Sequence, residues 1–502
     1  MAVLNLSAWL NRNDRQRSEA AGYVFPAMFS IDDARQTRGV TMRGSILLMP
    51  PFIRGMLLWL VALPLILAPP AKAQPAEHEV LFRDVRVFDG TSDELSPPTN
   101  VLVRGNIIAA IGPGERASST DAKVIEGRGQ TLMPGLIDNH VHMMFNSMTA
   151  KEMLAPDFSL EELVRLSAEQ SRAMLLRGFT AVRDAGGPSF ALKQAIDNGR
   201  VQGPRIWPSG PMISQTSGHA DLRGPDELPR RYGGKPSRME EAWASVIADG
   251  RDEVLVAVRE TLRRGASQIK ISAGGGTSSA YDPLDVTQYT LDEMKAAVEA
   301  AEDWNTYVTV HAYHPRSVRR AIEAGVKVVE HGNLLDEATL RLMAEKGIWL
   351  SSQMLVASTE AMDPGRREKR KPIIEGQEKV WPMAKRLGVK LAWGTDFLFE
   401  PELNDQQNAY ILRLKSIFAP AELLQLLTHD NAQLLALSGP RAPYQGRLGV
   451  VETGALADLI LVNGDPLDDI DVIGDADNFR VIMKDGVIFK GDEPGHAATS
   501  LP

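Results

Sequence analysis

Six side chains able to bind a metal stand at or near the ends of apolar stretches in this sequence. His140 and His142 lie two apart in Leu-Ile-Asp-Asn-His-Val-His, just after Pro134-Gly135. In a strand, residues i and i+2 share a face, so the two imidazoles aim at one point. Taken alone, the pair also fits a strand end with two partly exposed histidines. Lys270 sits between Ile269 and Ile271 and precedes Gly274–Gly276. A buried, unpaired ammonium is costly and shifts toward the neutral amine. A neutral amine reacts with CO2 to give a carbamate with two oxygens. The alternative is a lysine with a buried stem whose head pairs with a carboxylate. His311, His331 and Asp396 complete the set. Together the six suit two divalent cations bridged by the carbamate. His140 and His142 would hold one ion, His311 and His331 the other, and Asp396 would face the attacking water. Zn leads among the metals, and Mn, Co, Ni or Fe accept the same ligands.

The elements that must position these residues alternate strand and helix. Strands are expected at Leu132–His142, Phe179–Asp184, Arg205–Ser209, Gln268–Ala273, Tyr307–His311, Lys327–His331, Ile348–Ser352 and Lys390–Asp396. Helices fit between them, at Leu160–Leu176, Leu291–Glu302, Pro315–Ala324 and Asp336–Lys346. Eight such units favour a closed (β/α)8 TIM-like barrel over an open sheet, and no Gly-x-Gly-x-x-Gly follows the first strand. In such a barrel the active site lies at the C-terminal ends of the strands, where the six residues stand. Short β-rich stretches flank this middle, with Asp485-Gly486 as a hairpin turn. The economical reading is a barrel over 132–440 and a small β-sandwich domain assembled from 79–131 and 445–495.

Composition narrows the function. The chain has 502 residues, a net charge of −9 and no cysteine. The acidic balance argues against a nucleic-acid partner, and the missing thiols exclude disulfides, thiolate metal sites and cysteine nucleophiles. Arg43 and Arg54 precede the apolar run Met56–Ala68, which Ala71-Lys72-Ala73 follows. That is the layout of a cleaved export signal, and the run is short for a membrane span. The expectation is a non-native or disordered leader at 1–41, a signal peptide at 42–73 cleaved near Ala73, and a periplasmic or secreted protein that leaves the membrane after cleavage.

The motifs Met-Pro-Gly-Leu-Ile-Asp-Asn-His-Val-His, the Lys270 strand, Val-His-Ala-Tyr, Glu-His-Gly and Trp-Gly-Thr-Asp resemble the amidohydrolase superfamily in its binuclear, carboxylated-lysine form. The resemblance runs from about residue 80 to 490 and includes an Asn-Ala-x-x-Leu-Ala-Leu helix at Thr428–Leu437. In wording it is closest to the imidazolonepropionase-like branch with Xaa-Pro or Xaa-Arg dipeptidases and ochratoxin amidases. It implies that His140, His142, Lys270, His311, His331 and Asp396 are metal ligands and that Asp396 doubles as general acid and base. Water activated between two cations, its pKa lowered from ~15.7 toward about 7 as in the zinc prototype, would attack the carbonyl. The substrate expected is a small amide, either a dipeptide or an N-acyl amino acid. Alternatives are a cyclic amide, imidazolone or lactone and, more remotely, a non-catalytic binding protein on the same fold. The resemblance also leaves room for a homo-oligomer.

Other residues are candidates for contact with substrate. His219, in Ser-Gly-His-Ala-Asp on the polar loop at about Pro211–Arg238, would hydrogen-bond the developing oxyanion, as the family resemblance implies. Otherwise it is a surface histidine. Tyr313 and His314 closely follow His311, and Tyr281 and Arg223 are candidates for a substrate carboxylate. Asp184 reads as a structural carboxylate and Trp393 as a packed aromatic. The basic run Arg366–Lys371 reads as a solvated face.

Overall fold

The computed structural model describes residues 78–491, apart from 156, 357–361 and 363. The leader and export signal expected at 1–73 lie outside the described residues. Alternating apolar residues form the strand Glu79–Val87, which pairs antiparallel with Thr99–Arg104; that strand in turn pairs with Ile107–Ile111. A register shift between Phe82 and Val85, with Asp84 at φ 55°, divides the first strand. Its first half runs parallel to Lys123–Glu126 and its end parallel to Thr131–Pro134. The C-terminal region continues the sheet. Leu459–Val462 lies antiparallel to Thr131–Pro134, and Phe479–Lys484 and Val487–Lys490 follow. Phe82, Val101, Val103, Leu132, Leu459, Leu461, Val481 and Met483 share one apolar core, so both ends of the chain build the β-sandwich.

The strand expected over Leu132–His142 is broken in two. Thr131–Pro134 belongs to the sandwich sheet, and Leu136–Val141 opens the barrel, so residues 132–134 fall outside the barrel range expected for them. Gly135 marks the break. A Cβ there would lie 2.1 Å from Thr180 Oγ1, so only glycine permits the crossing. The barrel strands are Leu136–Val141, Phe179–Asp184, Arg205–Pro208, Ile269–Ser272, Val308–Ala312, Val328–His331, Trp349–Ser352 and Lys390–Trp393. Ladders join the first three and the last five in parallel. Single backbone bonds bridge the two seams: Ser267 N–H to Pro208 O at 2.8 Å, and Asp396 N–H to His140 O at 2.8 Å. The long loop after the third strand is partly ordered as sheet, because Met212–Ser214 and Ser245–Ile247 pair with each other and extend the ladder from Ile271.

Helices occupy the periodic stretches, with Thr290 and Glu293 forming a capping box on Leu291–Glu302 and Asp336 capping Glu337–Lys346. Trp393 is buried and stacks on Phe179, as a packed aromatic should. Asn431 clamps the seam between the first and last strands. Its side chain donates to the carbonyls of Ile137 (2.7 Å) and Trp393 (3.0 Å) and accepts from the Trp393 N–H (3.0 Å), while its own carbonyl accepts from Asn139 Nδ2. A buried group stripped of its partner costs about 1–3 kcal/mol. Asn431→Ala orphans several, so denaturant unfolding should show a loss of about 3 kcal/mol or more. A loss below about 1 kcal/mol would mean that other contacts hold the seam.

Candidate active site

The site forms where strand ends deliver polar side chains to one cavity. His140, His142, Lys270, His311, His331 and Asp396 all line it, with His219 and Tyr313. The first strand supplies His140 and, one residue past its end, His142. Two departures from regular backbone aim the others: His331 has φ 70° and Asp396 has φ 55°. Strand alternation alone would send Glu330 and His331 to opposite faces. Both are buried, and Glu330 contacts His140 while His331 lines the cavity.

Every one of the four histidines has one ring nitrogen engaged by an oxygen of the protein. His140 Nδ1 meets Glu330 Oε2 at 2.8 Å, and His142 Nδ1 meets the Gly186 carbonyl at 2.9 Å. His311 Nε2 meets the Gly275 carbonyl at 3.1 Å, and His331 Nδ1 meets Gln353 Oε1 at 2.7 Å. The other nitrogen of each ring is left for a ligand, the usual arrangement around a metal. Asp396 Oδ1 lies 3.2 Å from His142 Nε2 and 3.5 Å from His140 Nε2. Yet His140 Nε2 and Asp396 Oδ1 are buried without a hydrogen-bond partner. Orphaned buried polar atoms are rare, and here they converge: ligand atoms of His140, His142 and Asp396 fall within 4.8 Å of one another. The His311 and His331 rings are 4.4 Å apart on centroids, beside this trio. The donor set fits divalent cations.

Electrostatics keep the set ready for that role. Burial, reinforced by the Lys270 charge, lowers His140 to about 4, so its ring is neutral. Burial also holds His311 and His331 well below the usual imidazole value. Burial brings Lys270 down to about 8, against the pull of Glu330 and Asp396. For Asp396 burial works upward, but the surrounding histidines overcome it and hold the carboxyl far below the ordinary range. Asp184 behaves as the structural carboxylate expected. It accepts from the Met143 N–H at 2.9 Å and from Ser189 Oγ at 2.6 Å.

The substrate-contact candidates divide. His219 is buried in the cavity, its ring stacked 3.8 Å from that of His311. Its Nδ1 faces Ser279 Oγ at 2.7 Å, which leaves Nε2 toward Ser278 and the cavity. Gly276 makes the fit possible, since a Cβ there would lie 1.9 Å from the His219 ring. Three candidates are not brought to this cavity. His314 sits at the start of helix Pro315–Ala324, on a different cleft with Arg316 and Arg319. Tyr281 is 60% exposed and lines a neighbouring groove. Arg223 lines the same groove with its guanidinium taken by Asp221. The basic run Arg366–Lys371 also departs from its reading as a solvated face. Lys371 is exposed, but Arg370 is buried, Arg366 and Arg370 line the cavity, and Lys369 Nζ donates to the carbonyls of Gly276, Ser279 and Asp282. The i, i+3, i+4 spacing of Arg366, Lys369 and Arg370 on one helix was the available signal.

Glu330 was also missed, although it sits inside the Glu-His-Gly motif. It is fully buried and accepts from His140, from Arg183 Nη2 at 2.7 Å and from Thr309 Oγ1. Arg183 and His140 hold its carboxyl well below the usual range despite burial, which works upward. Removing one partner of a buried ion pair costs about 3–5 kcal/mol. Glu330→Gln should therefore lower unfolding stability by about that amount, read by denaturant titration. A change under about 1 kcal/mol would show that Arg183 is neutralised elsewhere.

Comparison with known proteins agrees with this geometry. Residues 131–489 match the amidohydrolase family model. Ochratoxinase of Aspergillus niger is 32% identical over 412 residues, covering 78% of this chain and 82% of that protein. Imidazolonepropionase of Ectopseudomonas mendocina is 25% identical over 419 residues, 76% of this chain and 90% of that protein. A prolidase structure solved with N-methylphosphonate-L-proline superposes with a TM-score of 0.76 at 34% identity, covering 82% of this chain and all of that one. The chain belongs to the amidohydrolase family and is a hydrolase of the amide-cleaving kind.

Proposed function

We propose that this chain is a binuclear metal-dependent hydrolase that cleaves the amide bond of a dipeptide or an N-acyl amino acid, and that it works after export. One observation carries the catalytic half: four histidines, each steadied through one nitrogen, share a cavity with Lys270 and Asp396. The ochratoxinase and prolidase relatives support the substrate class. The export half rests on the sequence pattern at residues 43–73 alone.

The roles follow from the groups. His140, His142, His311 and His331, together with Lys270 as a carbamate, would hold two divalent cations. Cations so held supply Lewis acidity and lower the pKa of water. Asp396, ionised and within reach of both strand-one histidines, takes the proton of the attacking water and returns it to the departing amine. His219 presents Nε2 to the carbonyl oxygen as it gains charge. No acyl-enzyme is needed, so the absence of cysteine is no obstacle.

A second reading, opening of a cyclic amide, imidazolone or lactone, is favoured by the imidazolonepropionase similarity. The two part on the products. Incubation with dipeptides and N-acyl amino acids should release free amine, and a chelator should abolish the release. No amine from protein that holds two metals, with ring-opening of cyclic substrates instead, would select the second reading. Lys270→Ala should lose most of its metal by elemental analysis, and short carboxylic acids should restore part of it. Full metal content in that variant would sink the carbamate.

A further inference from the structure

A groove of about 470 Å³ adjoins the active-site cavity, and Ser278 lines both. Ser278 Oγ lies 3.5 Å from His219 Nε2, so the groove begins beside the group that faces the carbonyl oxygen in the proposed reaction. The two spaces adjoin again where Leu398, which lines the cavity, is followed by Phe399, which lines the groove. Phe399 is fixed in that place. Its backbone is left-handed, φ 61°, its N–H reaches the Phe145 carbonyl at 2.9 Å, and its ring lies 5.7 Å from that of Phe145 on centroids.

The lining defines what the groove can hold. Met153, Leu222, Met239, Tyr281 and Phe399 give it an apolar surface. Methionine and aromatic side chains fit irregular apolar groups well. Its charged side chains balance, with Arg223 and Arg238 against Asp221 and Glu227. They are also engaged within the protein. Arg223 Nε meets Asp221 Oδ1 at 2.8 Å, and Asp221 Oδ2 accepts from the Ser217 N–H at 2.7 Å. Glu227 Oε2 accepts from the Gly224 N–H at 2.6 Å, and Arg238 Nη1 donates to the Ala155 carbonyl at 2.6 Å. A charged ligand group would give up water here without meeting a surplus of opposite charge, whereas an apolar group gains by burial. One half of an N-acyl amino acid carries the carboxylate and the other is uncharged. The uncharged half matches the groove.

We propose that this groove is the acyl subsite. It receives an apolar acyl group, a medium-length chain or an aromatic ring, attached to the scissile carbonyl. The enzyme then selects N-acyl amino acids with large apolar acyl groups over their N-acetyl counterparts. This assignment rests on amide hydrolysis at the six-residue cluster. It also gives Tyr281 a place against the substrate, on the acyl side rather than at a carboxylate.

The test is calorimetric binding of N-octanoylglycine and N-acetylglycine to the full chain, stripped of metal by a chelator so that binding is read without turnover. Each methylene removed from water is worth about two- to fourfold in affinity, so the octanoyl ligand should bind at least about 30-fold more tightly. Two substitutions alter the groove at residues that do not line the catalytic cavity: Ala280→Trp fills it, and Leu222→Asp places a carboxylate in its apolar lining. Ala280 is exposed and Leu222 half-buried, so the fold accommodates both changes. In each variant the octanoyl-to-acetyl ratio should fall at least about fivefold, while the affinity for N-acetylglycine stays within about twofold. If one variant does not fold, the other decides. Comparable binding of the two ligands by the unaltered protein, binding of neither, an undiminished ratio in a folded variant, or an equal weakening of both ligands overturns the proposal. Amine release is measured separately on Zn-loaded protein. Failure there counts against the proposed reaction and leaves the binding ratio to stand or fall by itself.

Discussion

Glu330 is the point on which the inner architecture of this barrel depends. A carboxylate with no exposure to water must find its partners inside the protein, and it finds them on three other strands: His140 on the first, Arg183 on the second and Thr309 on the fifth. Arg183 passes the connection to Ser351 on the seventh strand and to the Asn139 carbonyl. One layer of charge and hydrogen bonds thus spans the barrel beneath the catalytic cavity. Burying these groups is tolerable only because each has a partner, and partners with fixed directions hold the strands in register. His140 gains its ring orientation from the same carboxylate, so the fold and the site draw on one interaction.

Above that layer the cavity is asymmetric. One side is built of the four histidines, with Asp396 and Lys270 among the residues beside them. The other side is the wall of Arg366 and Arg370, supported by Glu400. The short loop from Asp396 to Glu400 joins the two, since Asp396 lies beside the histidines and Glu400 pairs with Arg370. Two non-glycine residues of that loop in left-handed backbone mark it as a place where local conformation is held by its surroundings. Asp138 contributes from below. It accepts from Thr395 and Gln407, and burial raises its carboxyl to about 6. It is a structural acid under the loop rather than part of the cavity lining.

The strands and helices of the barrel were legible because periodic apolar patterns report which face is buried. The helices Leu160–Leu176, Leu291–Glu302 and Pro315–Ala324 have the bounds expected from their sequences. The break at Gly135 was not legible. The residues around it are apolar on both sides, and only the approach of Thr180 shows that the chain must pass from one domain to the other there. The basic run Arg366–Lys371 was misjudged for a related reason. Charge in a sequence usually signals solvent, and what overrides this is Glu400, a partner thirty residues away that the sequence does not point to.

By itself the sequence determined which residue types stand at the strand ends, and the family, because periodic apolar patterns mark the strands and a barrel puts strand ends on one face. The tertiary structure alone decided which side chains meet. It joined Glu330 to His140, turned Arg366 and Arg370 inward, and sent Arg223, Tyr281 and His314 elsewhere. Loop paths and long-range ion pairs arise from packing between distant segments, and no local pattern of residues encodes them.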